Sequence, residues 1–206
     1  MSNAQKYAIE NYSNKYCIEY KEEMLDTKKF FKNEKLCIEI GFGMGHATSA
    51  IAEKNPETDY LGVEVHTPGV GRLLSEIENR ELKNLKIIQH DAVDVLNNMI
   101  ADNSVHGFHI FFPDPWPKKK HWKRRLINNE FCNILVNKLK KDGYIYTATD
   151  WEDYALQMFE VFSSEKKLEN VYEKWAASPL WRPETAFEHK GLDKNHLIRE
   201  LYYKRV

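Results

Sequence analysis

The segment that most clearly could do chemistry is "FFPDPWPKKKHWKRRL", at residues 111–126. Asp114 lies between Pro113 and Pro115, and prolines fix the backbone on both sides of it, so its carboxylate is held in place. Trp116 offers an aromatic face on which a nucleic-acid base could stack. A purely structural proline turn is the alternative, but it leaves the aspartate and the indole unexplained.

Six cations follow this turn with no acid among them, while the whole chain has a net charge of −1, so the remainder carries −7. Basic runs are usually solvated surface. Here the sequence predicts a helix from about Arg125 to Leu139, which puts the cations at a helix N-terminus, against the macrodipole. A phosphate backbone would compensate for that placement. The run, with His121 and Trp122 interleaved, therefore predicts a surface that contacts a nucleic-acid backbone, comprising Lys118, Lys119, Lys120, Lys123, Arg124 and Arg125.

A glycine-rich turn with acids around it forms a second candidate site. In "EIGFGMGH", Glu39 precedes Gly41, Gly43 and Gly45, and Glu64 stands 23 residues after Gly41. Glycines permit unusual backbone angles and close approach of a ligand to the main chain. An acid at this distance suits ribose hydroxyls in a nucleotide-binding sheet. Alone, the pattern also fits an ordinary tight turn.

Asp91, in "HDAVDVL", adds a third carboxylate to this site. Its alternative role is to cap the following helix, and the two roles are compatible. Three carboxylates, with Glu39 expected in the turn itself, would repel a pyrophosphate. They suit a cationic ligand that carries an adenosine, and S-adenosylmethionine fits because it has a sulfonium, an ammonium and ribose hydroxyls.

Short apolar runs alternating with helical patterns must position these residues. We expect strands at 36–40, 59–65, 85–90, 105–112 and 144–150, with a C-terminal hairpin from 168–175 and 196–206. The helix before the fifth strand is expected to end at Gly143 in a left-handed cap. This spacing predicts an α/β fold, a Rossmann-like seven-stranded mostly parallel sheet flanked by helices. Residues 1–33 are expected to be a helical segment over the core, and 34–206 one domain.

Parallel strands end at one edge of a sheet, and ligands bind beyond that edge. We therefore expect Glu39, Glu64, Asp91 and Asp114 to converge on one cleft, with the cations at its rim. Asp150, which ends the fifth strand beside Trp151, belongs to the same edge.

The bulk composition sets limits on other functions. The chain has 206 residues, 42% of them hydrophobic and 30% charged, which is ordinary for a soluble domain, and no run is apolar enough to span a membrane. Cys17, Cys37 and Cys132 lack pairing or metal-ligand spacing, which favours free thiols in the cytoplasm. The eight histidines form no metal triad by spacing, so we expect no metal.

Six segments together resemble one known family, the bacterial tRNA (guanine-N7)-methyltransferases. They are "EIGFGMG", "GVEVHTPGVG", "HDAVDVL", "FFPDPWPKKKHWKRRL", "TDW" and "RPETAFEHKG". The likeness runs in order from about Leu36 to the C-terminus, and the proline–aspartate–tryptophan–basic block is its most specific part. The family uses S-adenosylmethionine to modify the variable-loop guanosine at tRNA position 46.

The resemblance implies a role for each matching residue. Glu39, Glu64 and Asp91, with the glycine turn, match cofactor-binding positions, and Asp114 matches both a cofactor-site and an active-site residue. Lys118 and Asp150 match substrate contacts. The Lys119–Leu126 neighbourhood matches tRNA-contacting surface, and a substrate loop is matched by Thr185, Ala186, Phe187 and Glu188. The chain departs from the family pattern at Trp122 and Lys190.

Three alternatives stay open at this point. An amino-methyltransferase acting on adenine or cytosine carries a similar Asp-Pro turn at the same strand end. A nicotinamide-dependent dehydrogenase uses the same sheet, although the acid in the glycine turn counts against it. A non-catalytic RNA-binding module would keep the fold without the reaction. The chain is expected to act on tRNA as a monomer or homodimer, away from membranes.

Overall fold

The structure is a computed structural model of the chain and describes residues 1–177, 183 and 197–206. In these residues one sheet contains the strands β1 (Lys35–Ile40), β2 (Thr58–Val63), β3 (Leu85–Ile88), β4 (Val105–Phe111), β5 (Leu139–Thr149), β6 (Leu168–Asn170) and β7 (Arg199–Arg205). The α-helices are α1 (Asn3–Tyr16), α2 (His46–Lys54), α3 (Thr67–Asn79), α4 (Ala92–Asn98), α5 (Asn129–Lys138) and α6 (Glu152–Ser164). Short 3-10 turns cover Thr27–Lys29 and Lys119–Arg124.

The strand order is β3-β2-β1-β4-β5-β7-β6, with β1 to β5 parallel and β7 antiparallel to both of its neighbours. The predicted Rossmann-like, mostly parallel sheet with antiparallel strands at its C-terminal end is confirmed. The two last strands do pair as predicted, but β7 lies inside the sheet. The edge is thus the three-residue β6, and a short edge strand offers little template for pairing with another chain.

Helices cover both faces of the sheet, which explains why its central strands are apolar on both sides. On one face α4, α5 and α6 contribute buried side chains such as Val95, Leu135 and Met158. On the other face α1, α2 and α3 contribute Ala8, Ile51 and Leu73. Burying each large apolar side chain contributes about 1.5–3 kcal/mol, so this packing fixes the strand ends relative to one another.

The N-terminal prediction was wrong in extent, because α1 ends at Tyr16 rather than near Asn33. After α1 the chain runs along the outer edge of β3, where the Ile18 amide donates to the Ile87 carbonyl oxygen at 2.8 Å. The backbone of this edge strand needs partners, and an extended segment supplies them where a helix could not. The N-terminal segment is therefore an added layer on the sheet edge.

Two further predictions around α5 are corrected. The helix begins at Asn129, after Asn128 caps it by accepting from the Phe131 amide at 3.0 Å, so the cations precede it in a 3-10 turn and do not lie at its N-terminus. The left-handed residue near Gly143 is Asp142, at φ 64°. Gly143 instead provides clearance, because a Cβ there would lie 2.9 Å from the Lys140 carbonyl oxygen and 3.0 Å from that of His106.

Among the described helices, none is both long and apolar enough to cross a bilayer.

Candidate active site

Parallel pairing brings the carboxyl ends of the central strands to one edge of the sheet. The Gly41 amide donates to the Val63 carbonyl oxygen at 2.8 Å, and the Glu64 amide to that of Ile88 at 3.2 Å. On the other side, the Phe112 amide donates to the Ala148 carbonyl oxygen at 2.8 Å. Since β1 also pairs with β4, the segments that carry the predicted acids lie at or beyond neighbouring strand ends.

The glycine turn has the backbone shape that the sequence indicated. Gly41, Gly43 and Gly45 have φ of +72°, +57° and +74°, a region that favours glycine. A Cβ added at Gly41 would have no protein atom within 4 Å, so the main chain there faces open space. A ligand can therefore approach the turn closely.

Glu39 lies in β1 and not in the turn, which corrects its predicted placement. It is 3% exposed, and its Oε2 atom has no hydrogen-bond partner among the described residues. Burial, with a smaller contribution from the nearby Glu64 carboxylate, raises the pKa of Glu39 to about 8. The side chain lines a cavity of about 220 Å³ together with the glycine turn, Phe111 and Phe112. A buried carboxyl group that has one oxygen without a partner at a cavity wall suits a cationic ligand.

Glu64 holds the glycine turn against the end of β2. Its Oε2 accepts from the Gly43 amide at 2.7 Å, while Oε1 accepts from the Val65 and His66 amides at 2.8 and 3.0 Å. A carboxylate has about four acceptor positions, so one remains for a ligand hydroxyl.

Asp91 caps α4, as its alternative role predicted. Its Oδ1 accepts from the Val93 amide at 2.8 Å and the Asp94 amide at 3.4 Å, while the residue stays at the sheet edge, accessible to solvent. Sequence reasoning missed the neighbouring stack of Tyr20 on His90, whose rings lie 3.6 Å apart at 8°. The N-terminal segment thus covers the end of β3 beside Asp91.

The Pro-Asp-Pro-Trp loop follows β4 and holds two residues in left-handed backbone conformations. Phe112 has φ 50° and Trp116 has φ 44°, and each precedes a proline. Such geometry costs about 1–3 kcal/mol per residue and persists only where its surroundings impose it. Asp114, between them, is exposed. Burial raises the pKa of Tyr154 in α6 to about 12, and the Asp114 carboxylate makes a small contribution to that rise.

Arg125 supplies much of what imposes this geometry, and it does not fit its predicted role as a tRNA contact. Its side chain is fully buried. Its Nε donates to the Pro115 carbonyl oxygen at 2.8 Å, and its two terminal nitrogens donate to Gln157 at 2.8 Å and Asp153 at 2.9 Å. The guanidinium also lies 4.5 Å from the Trp122 ring centroid. Arg125 therefore anchors the loop to α6, and its charge faces the protein.

The other cations of the run point outward around Trp116. Lys118, Lys119, Lys120, Lys123 and Arg124 are exposed. The Arg124 guanidinium lies 4.9 Å from the Trp116 ring centroid, and His121 contacts the same ring edge-on at 5.7 Å. Trp122, where the chain departs from the family pattern, packs on Arg125, and within the described chain its Nε1 atom is buried without a hydrogen-bond partner. These residues form a cationic rim beside Asp114.

The remaining predicted positions fall in two groups. Asp150 directly follows β5 and is half-buried at the same sheet edge. The predicted substrate loop lies outside the described residues, as does Lys190, so Thr185, Ala186, Phe187 and Glu188 stay predictions. Across residues 1–177 and 197–206, no group of three His, Cys, Asp or Glu side chains could hold a metal ion.

Sequence reasoning also missed the anchors on α6. Asp153 and Gln157 stand four residues apart, hence on one helix face, which is a recognisable spacing. That spacing does not reveal a partner 28 residues earlier in the chain, and only the packing of α6 against the loop identifies Arg125.

The strand order and the site at the strand ends define the class of Rossmann-like methyltransferase folds. The 16S rRNA methyltransferase KamB superimposes with a TM-score of 0.62 over 89% of this chain and 94% of that chain, at 12% identity. The precorrin-6y C5,15-methyltransferase of Geobacter metallireducens gives 0.58 over 90% and 100%, at 11% identity. At such identities the likeness establishes the fold alone.

Sequence comparison establishes the family. The sequence model of a family described as "putative methyltransferase" matches residues 33–201. The tRNA (guanine-N(7)-)-methyltransferases of Nitrosospira multiformis and Chromobacterium violaceum are each 48% identical over the whole chain, which covers 90% and 91% of their lengths. The relative of that name from Nitrosomonas eutropha is 46% identical, with 92% of its length covered. The chain belongs to the tRNA (guanine-N(7)-)-methyltransferase family, and the resemblance found in the sequence is confirmed.

Proposed function

We propose that this chain transfers the methyl group of S-adenosylmethionine to N7 of a guanosine in tRNA, at position 46 of the variable loop. Family membership supports the reaction class. The observation that carries the proposal is the buried Glu39 carboxyl group, with an unpaired oxygen, in a cavity that shares its walls with the start of the Asp114 loop. The three cysteines are free, which fits a reducing cytoplasm, where the chain would act as a monomer or homodimer.

The residues at the glycine turn fit S-adenosylmethionine. Glu39 offers a negative charge for a cationic ligand, and Glu64 has one acceptor position left for a ribose hydroxyl. Asp91 stands accessible at the next strand end, where an adenosine would extend. When bound, the cofactor supplies a methyl group on a positively charged sulfur.

The guanine requires alignment more than activation. Its N7 atom carries an in-plane lone pair and no proton at neutral pH, so no general base is needed to uncover it. Asp114, held between prolines, can accept hydrogen bonds from the guanine N1–H and amino group. Its negative charge also stabilises the positive charge that develops on the purine. Asp150, at the end of the neighbouring strand, can share this role.

The exposed cations beside Asp114 would bind the tRNA backbone. Phosphate contacts set the register of the RNA without reading its sequence. This surface comprises Lys118, Lys119, Lys120, His121, Trp122, Lys123 and Arg124, and the loop Thr185–Glu188 would contact the same substrate.

One assay tests the proposal and its rivals together. The chain is incubated with methyl-labelled S-adenosylmethionine and tRNA that lacks modifications, and the labelled nucleoside is identified after digestion. We expect 7-methylguanosine, and we expect it to disappear when guanosine 46 is replaced by adenosine. Labelled N6-methyladenosine or N4-methylcytidine would identify an amino-methyltransferase. Binding of tRNA without any transfer would leave the non-catalytic module, and binding of a nicotinamide cofactor instead would indicate a dehydrogenase.

A further inference from the structure

A second positively charged surface lies at the amino ends of the parallel strands, whereas the candidate active site lies at their carboxyl ends. The end of α1, the turn after Thr27–Lys29 and the start of β3 enclose a cavity of about 560 Å³. Lys83 precedes β3, whereas Asp91 follows it, so the cavity and the active site lie at opposite ends of the strands. This placement separates the two by roughly 20 Å, the length of a six-residue strand.

The cavity concentrates positive charge in a chain that is nearly neutral. Two glutamates, Glu78 and Glu81, lie among five lysines, whereas the whole chain has a net charge of −1. The lysines are Lys15, Lys29, Lys32, Lys83 and Lys86. A net charge of +3 in one concave site attracts anions and raises their local concentration.

Only two of these lysines have a carboxylate partner among the described residues. Lys15 pairs with the Glu78 carboxylate at 2.8 Å, to which the Tyr16 hydroxyl also donates at 2.5 Å, and Lys29 pairs with Asp26 at 3.8 Å. Within the described part of the chain, Lys32, Lys83 and Lys86 make no ion pair. Three cations therefore line the cavity without a carboxylate partner.

Lys86 is held in this position. Its Nζ donates to the Lys15 carbonyl oxygen at 2.9 Å and lies 5.4 Å from the Tyr16 ring centroid. Burial lowers the pKa of Lys86, and the charge of Lys15 lowers it further. An anion in the cavity would place a negative charge beside Lys86 and raise this pKa.

We infer that this lysine cavity, defined by Lys15, Lys29, Lys32, Lys83 and Lys86, binds backbone phosphates of the tRNA at a point remote from the methylated base. The inference rests on the proposed function, because tRNA is the polyanion that function supplies. A tRNA is much longer than the distance across the sheet, so one molecule can reach both surfaces. Phe30 is 37% exposed at the cavity wall and offers a ring for a nucleotide beside the phosphates.

The test replaces the three unpaired lysines together, as Lys32→Gln, Lys83→Gln and Lys86→Gln. A matched control, Lys166→Gln, Lys167→Gln and Lys204→Gln, removes the same charge from exposed positions beside β6 and in β7, on the side of the sheet away from β3. The affinity for unmodified tRNA is measured at several salt concentrations, with kcat and KM for methylation and the affinity for S-adenosylmethionine. A double variant, Lys32→Gln with Lys83→Gln, avoids any folding defect caused by the loss of the half-buried Lys86.

We expect the triple variant to weaken tRNA binding several-fold and to lower the slope of log affinity against log salt by about one for each phosphate that the variant no longer neutralises. The kcat at saturating tRNA and the cofactor affinity should match the wild type, and the control variant should match it throughout. An unchanged affinity and slope would overturn the inference, and so would a loss of kcat with unchanged KM. Inorganic triphosphate binding in the cavity, with unchanged tRNA affinity, would show a small-anion site and would overturn it too. If the wild type binds tRNA but methylates nothing, the proposed function fails, while the binding comparison still tests this surface.

Discussion

The glycine turn and the Pro-Asp-Pro-Trp loop meet at the same sheet edge but are stabilised in opposite ways. The turn is held by an acid, because the Glu64 carboxylate accepts hydrogen bonds from the Gly43 amide in the turn and from the Val65 and His66 amides after β2. The loop is held by one side chain, Arg125, which bonds to the Pro115 carbonyl oxygen and to α6. The acid beside the turn, Glu39 in β1, is buried, whereas the loop exposes Asp114 and its cations. A small charged cofactor needs a preformed enclosure, while a large polyanion needs accessible charge.

The largest effect expected from this contrast is on turnover, through Asp114→Asn. The substitution keeps the shape of the side chain and removes its charge, so stabilisation of the developing purine cation is lost. We expect kcat to fall by about 10²–10³, measured as 7-methylguanosine formed at saturating tRNA, with little change in cofactor affinity.

The control for Asp114 is Glu169→Gln, which makes the same change of carboxylate to amide at an exposed position in β6. It should leave kcat unchanged. Near-normal turnover in Asp114→Asn would reject the catalytic role of this carboxylate. Asp150 would then be the carboxylate that stabilises the purine cation.

The next effect is on stability, through Arg125→Met. The substitution keeps side-chain length but removes the bonds to Pro115, Gln157 and Asp153. Since Asp153 is 39% exposed and can rehydrate, we expect a loss of about 2–3 kcal/mol, below the range for fully buried pairs. In a chain of this size the melting temperature should fall by roughly 5–10 °C, as measured by thermal unfolding.

Arg124→Met is the matched control, because it makes the same change at the exposed neighbouring residue. It should leave the melting temperature nearly unchanged while lowering the salt dependence of tRNA binding, and Arg125→Met should do the reverse. A stable Arg125→Met variant with weaker salt dependence would show that Arg125 reaches the tRNA after all.

Arg125 also shows where sequence reasoning reaches its limit. The strands were predicted because their apolar runs are local, and the acids were placed at one edge because parallel topology aligns strand ends. Arg125 was grouped with its exposed neighbours because its partners, Asp153 and Gln157, lie on a helix far along the chain.

The predicted start of α5 is wrong for the same reason. The amide of Ile127 donates to the Tyr154 hydroxyl at 3.0 Å, a bond across the fold that keeps the chain extended until Asn128 caps the helix. Helical periodicity alone does not register such a bond. The predicted extent of the N-terminal helix is wrong for a similar reason, because the backbone of Ile18 bonds to β3, a strand far along the chain.

A third prediction concerns the cationic rim beside Asp114. Replacing Lys118, Lys123 and Arg124 by glutamine should lower the slope of log tRNA affinity against log salt by about two to three, because each neutralised phosphate contributes about one to that slope. The melting temperature should stay near that of the wild type, in contrast to Arg125→Met. The triple lysine variant at 166, 167 and 204 again serves as the charge-matched control, and an unchanged slope would remove this surface from the interface.

The last effect concerns the buried acid beside the glycine turn, through Glu39→Gln and its dependence on pH. The pKa of Glu39 is about 8 in the folded chain, against an ordinary value of 4.5. Between these two pH values Glu39 is therefore protonated in the folded chain and ionised in the unfolded chain. The contribution of Glu39 to stability therefore falls as pH rises through this window. Glu39→Gln should remove that fall, so its stability relative to the wild type should increase from pH 5 to pH 8.5, as measured by urea unfolding.

Cofactor binding should show the opposite trend, because a cationic ligand favours the ionised carboxylate. The affinity of the wild type for S-adenosylmethionine, divided by that of Glu39→Gln, should rise several-fold between pH 6 and pH 8.5 in calorimetric titrations. Taking this ratio cancels the titration of the ligand's own amino group, which affects both proteins equally. A ratio that does not change with pH would mean that Glu39 stays neutral when the cofactor binds. The turn would then hold its ligand through the backbone and Glu64, and the buried acid would serve only to shape the cavity.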